Sequence, residues 1–195
     1  KSRKHLFSVK MNGGCTSVCF TKDFMFSCGD QGDIYQWDMD LVANVFLKFK
    51  MKEISNDIID ASETHLATGS KMGTVNIFKF NEQRQINEKP EKSILNLTTS
   101  ITDLKFHPSS NLLAICSKWK KNAVRMVHIP TCSVYQNFPG AAVGILKYPF
   151  CLDFDHSGKF MAMGNDEGKV ISGICKTSEK INLINSQTLG FWGFG

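Results

Sequence analysis

A polar turn followed by a short alternating strand occurs four times along this chain, and this repeat constrains the fold more than any other feature. The copies are CGDQGDIYQWD (28–38), TGSKMGTVNIFKF (68–80), CSKWKKNAVRMVHI (116–129) and MGNDEGKVISGI (163–174). On each strand we expect one residue to point inward, and these four residues are Ile34, Val75, Val124 and Val170. They lie 41, 49 and 46 residues apart. A period of this length indicates one supersecondary unit that stacks on its neighbours.

Two further apolar strands precede each alternating strand. The nearer one is FMFSC (24–28), HLATG (65–69), LLAIC (112–116) or FMAMG (160–164), and the farther one is TSVCF (16–20), DIIDA (57–61), ITDLKF (101–106) or FCLDF (150–154). Three or four short strands joined by tight turns, at this period, are typical of one blade of a WD40-type β-propeller. We therefore predict an all-β chain with about four such blades.

The length of the chain limits how much of a ring it can make. Because each blade buries its faces only against its neighbours, a propeller normally closes into a ring, and the commonest WD40 rings have about seven or eight blades. We predict a partial propeller over residues 1–169, with the fourth repeat incomplete, and an atypical tail over 170–195 that we expect to be disordered. The chain does not begin with Met, so we expect it to be part of a longer protein.

The turns of the four repeats carry the residue types that tight turns require. Glycine tolerates positive φ, and asparagine is the best substitute for it. Aspartate in a turn accepts hydrogen bonds from backbone N–H groups. On this basis we assign structural roles in the turns to Asp30, Gly32, Gly73, Asn122, Asp166 and Gly168.

The first repeat ends in Trp37-Asp38, and we interpret both residues as structural. We expect the indole ring of Trp37 to be buried between blades as a core anchor. Its equivalents in the later repeats are Phe78, Val127 and Gly173, so the aromatic anchor fades along the chain.

The sequence contains no recognisable catalytic, metal or cofactor motif. The seven cysteines include no CxxC pair, and we interpret them as buried free thiols. No Ser/His/Asp, Cys/His or phosphate-loop arrangement is visible, and we interpret the histidines at 107 and 156 as turn residues. We therefore expect no enzyme activity, no cofactor and no small-molecule substrate. No apolar run approaches the ~18–20 residues of a membrane span, so we expect no membrane partner.

One basic segment is a candidate for contact with RNA. Lys118, Trp119, Lys120 and Lys121 lie in the hairpin connection of the third repeat, within a chain of net charge +5. A tryptophan flanked by lysines can stack on an exposed base. A solvated hairpin tip is the alternative interpretation, and the sequence leaves both open.

Beyond the generic repeat, three segments resemble a known family in order and spacing. They are ATGSKMGTVNIF (67–78), SILNLTTSITDLKFHPSSNLLAICSKWKKNAVRMVHIPTCSVYQNFP (93–139) and FMAMGNDEGK (160–169). Over about residues 8–169 the chain resembles the C-terminal propeller of the U3 small nucleolar RNA-associated protein 18 family.

The resemblance implies a non-enzymatic scaffold of the small-subunit processome, which processes precursor ribosomal RNA in the nucleolus. The implied partners are other processome subunits, with U3 small nucleolar RNA and precursor ribosomal RNA contacted weakly or indirectly. The implied location is the nucleus and nucleolus. The alternative is a WD40 protein–protein adaptor in another intracellular pathway.

Overall fold

The computed structural model describes residues 8–39, 44–50, 56–140, 144–176 and 180–182. The chain divides into two compact units, residues 1–104 and 105–195, with the boundary inside the ninth strand. The described residues form sixteen β-strands and no helix. None of the described residues lies in a helix that could cross a membrane.

The strands form four antiparallel sheets of four strands each. The first sheet has the order β1-β2-β3-β4 and the second β5-β6-β7-β8. The third has the order β12-β11-β10-β9 and the fourth β13-β14-β15-β16. The strands are β1 Cys15–Phe20, β2 Phe24–Gly29, β3 Asp33–Asp38, β4 Asn44–Lys50, β5 Asn56–Ala61, β6 His65–Ser70, β7 Val75–Lys79, β8 Lys92–Ile94, β9 Asp103–Phe106, β10 Leu112–Cys116, β11 Val124–His128, β12 Ser133–Val134, β13 Pro149–Phe154, β14 Phe160–Asn165, β15 Val170–Lys176 and β16 Lys180–Asn182.

This architecture confirms the prediction of an all-β chain with four blade-like sheets. The first three strands of every sheet match the predicted strands to within about two residues. The sequence indicated three or four strands in each blade, and the structure adds a fourth strand to every sheet.

The strand registers show that the four repeats are equivalent in three dimensions. Ile34 lies opposite Cys28, and Val75 lies opposite Gly69. Val124 lies opposite Cys116, and Val170 lies opposite Gly164. Residues that lie opposite each other in an antiparallel pair share a face of the sheet. The four predicted inward residues therefore occupy the same position on the same face of their sheets.

The core of the first unit lies between its two sheets. Buried side chains of the first sheet pack with those of the second, and the cluster comprises Cys19, Phe26, Cys28, Ile34, Ile59, Leu66, Phe78 and Ile86. The Ser17 hydroxyl adds a polar link, since it accepts a hydrogen bond from the Ile59 amide at 3.3 Å. Pairwise packing of sheets in this way is what a propeller blade needs for stability.

The second unit repeats this arrangement with its own sheets. Its cluster comprises Leu112, Ala114, Cys116, Val124, Met126, Phe138, Leu146, Leu152, Met161, Met163 and Ile171. Val124 and Met126 contribute the face of the third sheet, and Met161, Met163 and Ile171 contribute the face of the fourth. Methionine suits such a site because its unbranched side chain fills irregular gaps.

One of the predicted inward residues is exposed. Ile34, Val75 and Val124 are fully buried, whereas Val170 is 70% exposed. The prediction for Val170 is therefore wrong. In the first and third sheets, the equivalent residue faces the sheet that follows in the chain. Among the described residues no sheet follows the fourth, so nothing covers Val170.

The fourth sheet extends past residue 170, where we expected the propeller to end and the tail to begin. Val170–Lys176 forms β15, which pairs with β14 from Phe160↔Ile174 to Gly164↔Val170. Lys180–Asn182 forms β16, which pairs with β15. The alternation of this segment is enough to complete a sheet despite its two small residues, Ser172 and Gly173. Residues 183–195, the rest of the expected tail, lie outside the described residues.

Candidate nucleic-acid interface and the turns that carry it

The backbone at the β2–β3, β6–β7, β10–β11 and β14–β15 turns adopts the left-handed conformation. The φ angles are +77° at Gly32, +86° at Gly73, +56° at Asn122 and +71° at Gly168. Positive φ is costly for most residues and is tolerated by glycine and asparagine. This is the conformation that the turn sequences predict, including the substitution of asparagine for glycine in the third repeat.

Aspartates in two of these turns fasten the hairpin to the segment that enters the same sheet. Asp30 accepts a hydrogen bond from the Gly14 amide at 3.0 Å, and Asp166 accepts one from the Tyr148 amide at 3.0 Å. The bonds are reciprocated, because the amides of Asp30 and Asp166 donate to the carbonyls of Gly14 and Tyr148. The two aspartates therefore bond to the residues directly before β1 and β13 as well as shaping their turns.

In the third repeat Asn122 joins the hairpin to the following sheet. Its amide donates to the Lys147 carbonyl at 2.7 Å, and its side-chain Oδ1 accepts from the Gly144 amide at 3.1 Å. The β10–β11 connection is thus fixed against the segment that leads into β13. These two hydrogen bonds place the β10–β11 connection beside the start of β13.

Trp37 is 2% exposed and lies on the face of the first sheet opposite to Ile34. Its ring stacks on Tyr35 with centroids 5.3 Å apart, and Nε1 donates to the Ser27 hydroxyl at 2.8 Å. The ring therefore lies outside the interface between the first and second sheets. Asp38 follows as the last residue of β3, half-buried and opposite Phe24.

An aromatic and basic cluster lies where the β10–β11 connection meets the start of β13. The ammonium of Lys118 lies 5.3 Å from the ring centroid of Trp119 and 5.5 Å from that of Phe150. Trp119 is 64% exposed and Phe150 48% exposed. Cation–π attraction at this range favours an arrangement with both rings beside one ammonium.

A second cation–π pair extends the cluster along the same segment. The ammonium of Lys121 lies 5.8 Å from the ring centroid of Tyr148. Lys120 and Lys121 are both exposed, and among the described residues neither has a carboxylate partner. Nearby, Glu167 pairs with Lys147 at 3.4 Å and with Lys169 at 2.8 Å. Glu167 shares one negative charge between those two lysines, so a net positive charge remains there and adds to that of the β10–β11 connection.

Of the four residues that the sequence singled out for RNA contact, the structure places Lys118, Trp119 and Lys121 in cation–π contacts and leaves Lys120 exposed, and it adds two aromatic residues that the sequence analysis missed. Phe150 and Tyr148 lie about thirty residues further along the chain, Phe150 on β13 and Tyr148 directly before that strand. The one available signal was the pair of aromatic residues in KYPF (147–150), which a sequence pattern assigns to the core.

The histidine at 107 has a structural role. Its Nε2 donates to the Gly158 carbonyl at 2.7 Å, and its Nδ1 accepts from the Ser109 amide at 3.1 Å. Both ring nitrogens are therefore engaged within the protein, and the ring joins the turns after β9 and β13. Among the described residues, no group of three or more His, Cys, Asp or Glu side chains could hold a metal ion.

The cysteines are free, but the prediction that they are all buried is wrong. Cys19, Cys28 and Cys116 are buried, whereas Cys15 and Cys151 are exposed, and each of these two lies beside a register shift at the start of its sheet. Burial raises the pKa of the Cys28 thiol to about 12 and that of Cys175 to about 11. At neutral pH both remain protonated and poorly nucleophilic.

Comparison with known proteins defines the class first. The family described as "WD domain, G-beta repeat" matches residues 91–122, which run from β8 to the β10–β11 turn. The fold matches a computationally designed protein, Ika4, with a TM-score of 0.68 at 18% identity, over 94% of this chain and 100% of that one. It also matches a chain of the mitotic checkpoint complex with a TM-score of 0.67 at 13% identity, over 86% of this chain and 51% of that one. These structural likenesses show the fold alone. The chain therefore contains a WD40 repeat, and its four sheets have the WD40 propeller type of fold.

Curated relatives then give a more specific similarity. The chain is 33% identical to the mouse U3 small nucleolar RNA-associated protein 18 homolog over 88% of its length, and 34% identical to the Arabidopsis thaliana homolog over 88%. It spans about a third of those relatives, 32% of each. It is also 28% identical to the yeast antiviral protein SKI8 over 65% of this chain and 35% of that protein. The chain therefore resembles the U3 small nucleolar RNA-associated protein 18 homologs, as its motifs indicate.

Proposed function

We propose that this chain is part of a non-enzymatic scaffold of the nucleolar small-subunit processome, with a role in precursor ribosomal RNA processing and small-subunit biogenesis. The observation that carries the proposal is the similarity over 88% of the chain to proteins named for their association with U3 small nucleolar RNA. Similar matches from animals, a plant and two yeasts support the same assignment.

The structure supports a scaffolding mechanism. Propeller blades offer sheet edges and turns as separate contact surfaces, and their rigid packing fixes where each surface points. In this chain the hydrogen bonds of Asp30, Asn122 and Asp166 hold the turns rigidly on the blades. We propose that other processome proteins bind such surfaces, and that U3 and precursor ribosomal RNA are contacted weakly or indirectly.

The second candidate function is a WD40 adaptor in another pathway, and the similarity to SKI8 is the observation that favours it. The first candidate is better supported, because its relatives match more of the chain at higher identity. Both candidates bind proteins, so the distinguishing property is the particle that each one enters.

Localisation of the protein in cells and the RNA that is recovered with it separate the two candidates. The processome proposal predicts nucleolar location and enrichment of U3 RNA in a purification under mild salt, relative to a nuclear RNA of an unrelated particle. Exclusion from the nucleolus, with U3 RNA at the level of an untagged control, would contradict it and favour the adaptor.

A further inference from the structure

The basic and aromatic cluster of the second unit is a surface with a defined ligand chemistry. It consists of Lys118, Trp119, Lys120, Lys121, Tyr148 and Phe150, which we call the lysine–aromatic surface. We propose that this surface binds a short single-stranded segment of RNA, with bases stacked on Trp119 and Phe150 and phosphates near Lys120 and Lys121. The proposal deepens the proposed function and rests on it for the source of the RNA.

The geometry of the rings supports stacking. Lys118 lies over one face of Trp119 and over Phe150, and both rings remain about half exposed or more. A ring held in place by a cation loses little conformational entropy when a base stacks on its free face. Base–aromatic stacking contributes about 1–3 kcal/mol per base and tolerates any base.

Charge distribution supports a nucleic acid over a protein as the occupant. Lysine is depleted from the cores of protein–protein interfaces, whereas it is common where a protein meets phosphates. Here three lysines lie within four residues, and the nearby carboxylate of Glu167 is paired with Lys147 and Lys169.

The surface is also preorganised. Asn122 bonds to Gly144 and Lys147, so the hairpin and the β13 segment form one platform before any ligand binds. Positions on rigid elements lose less free energy on binding than positions on mobile loops. The platform is short, so a stretch of only a few nucleotides fits it.

Fluorescence anisotropy with a labelled 12-nucleotide poly-U RNA tests the proposal on the 195-residue chain. Two pairs of variants compare the surface with matched controls elsewhere. Trp119→Ala is paired with Phe20→Ala, which removes a side chain that is 63% exposed on β1. The charge-reversal pair Lys120→Glu/Lys121→Glu is matched by Lys10→Glu/Lys22→Glu, which changes the net charge equally at two exposed lysines of the first unit.

We expect Trp119→Ala to weaken binding by at least about fivefold, because one stacked base is lost. The double reversal at Lys120 and Lys121 should weaken binding further and reduce the slope of log affinity against log salt by about 1.4, since each phosphate contact contributes about 0.7. The control variants should bind as the parent does. Thermal melts establish that every variant is folded before its affinity is read.

Three results would overturn the proposal. One is a folded parent that binds poly-U no better than the double reversal, and another is an equal loss of affinity in the surface variants and their controls. The third is Trp119→Ala that binds RNA normally but no longer recovers processome proteins, which would make this a protein-docking surface. If any of these results is found while U3 RNA is still enriched with the protein from cells, only the proposed RNA-binding surface is contradicted. If U3 RNA is not enriched with the protein from cells, the proposed function is contradicted instead.

Discussion

The indole Nε1 of Trp37 donates a 2.8 Å hydrogen bond to the hydroxyl of Ser27 across the β2–β3 pair, within a fully buried environment. Ser27 lies opposite Tyr35, whose ring stacks on Trp37, so the three side chains form one packed group. A buried tryptophan generally requires a partner for its N–H. The group makes Trp37 a structural residue of the first sheet.

Truncation of Trp37 should therefore destabilise the protein strongly. Trp37→Ala removes a large buried ring and leaves Ser27 without its donor, and we expect the free energy of unfolding to fall by about 3–5 kcal/mol. Trp37→Phe keeps most of the packing and should cost less. Trp119→Ala is the matched control at an exposed site and should cost less than about 0.5 kcal/mol. Urea denaturation measures all three, and equal stability of Trp37→Ala and the parent would contradict this assignment.

Alanine substitutions at the two turn glycines Gly73 and Gly168 distinguish the cost of backbone strain from the cost of a steric clash. Both have positive φ, but a Cβ on Gly73 would collide with the Leu97 carbonyl oxygen and approach that of Thr99 at 2.8 Å, whereas Gly168 has open space. We expect Gly168→Ala to cost about 1–2 kcal/mol from its backbone conformation alone. Gly73→Ala should cost clearly more in the same urea titration. Equal costs would show that the Leu97 segment moves away freely.

Substitutions at two adjacent residues of β15 show whether the outer face of the fourth sheet is uncovered in solution. Ile171 is buried in the core of the second unit, and Val170 points to the other face. We expect Ile171→Ala to cost about 2–4 kcal/mol and Val170→Ala less than about 0.5 kcal/mol. If Val170→Ala proves as costly as Ile171→Ala in thermal or urea unfolding, then a further element covers that face in solution.

Much of this fold is predictable because its signals are local. The turn of the first repeat specifies positive φ at Gly32 through its own sequence, and the strands around it alternate in register. The exposure of Val170 could not be predicted in this way. Its sequence context matches that of Ile34, and what differs is whether another sheet packs on it, which the local pattern does not encode.

In the candidate RNA surface, too, the sequence indicates some of the residues and not others. The lysines and tryptophan of 118–121 stand out because they are contiguous in sequence. Phe150 joins them only through the hydrogen bonds that fix Asn122 to the segment before β13. Such contacts depend on how consecutive sheets pack, and an apolar residue at a strand terminus gives no indication that it faces solvent.

We expect low pH to reduce the stability of the first unit because of His65. Nδ1 lies 2.8 Å from the Thr64 hydroxyl, and Nε2 lies 3.3 Å from a carboxylate oxygen of Glu91. Burial, with a smaller effect from Lys79, lowers the pKa of His65 below its ordinary 6.5, and Glu91 opposes this only in part. The native state thus binds a proton less readily than the unfolded state.

Stability from His65 is therefore present above the unfolded pKa and is lost as the pH falls below about 6.5. We expect the free energy of unfolding to decrease between pH 7.5 and 5.5, and to decrease less in His65→Gln. Urea titrations of both proteins at the two pH values measure this difference. An identical decrease in the variant would assign the acid sensitivity to other groups.

Sedimentation of the chain in cell extract tests the proposed scaffold role most directly. The tagged 195-residue chain is expressed, its folding is established, and the extract is separated on a sucrose gradient with U3 RNA measured in every fraction. We expect the chain to sediment with the large particles that contain U3 RNA and to be recovered with that RNA from those fractions. A folded, soluble chain that stays at the top of the gradient, while U3 RNA sediments normally, would contradict the proposed scaffold role.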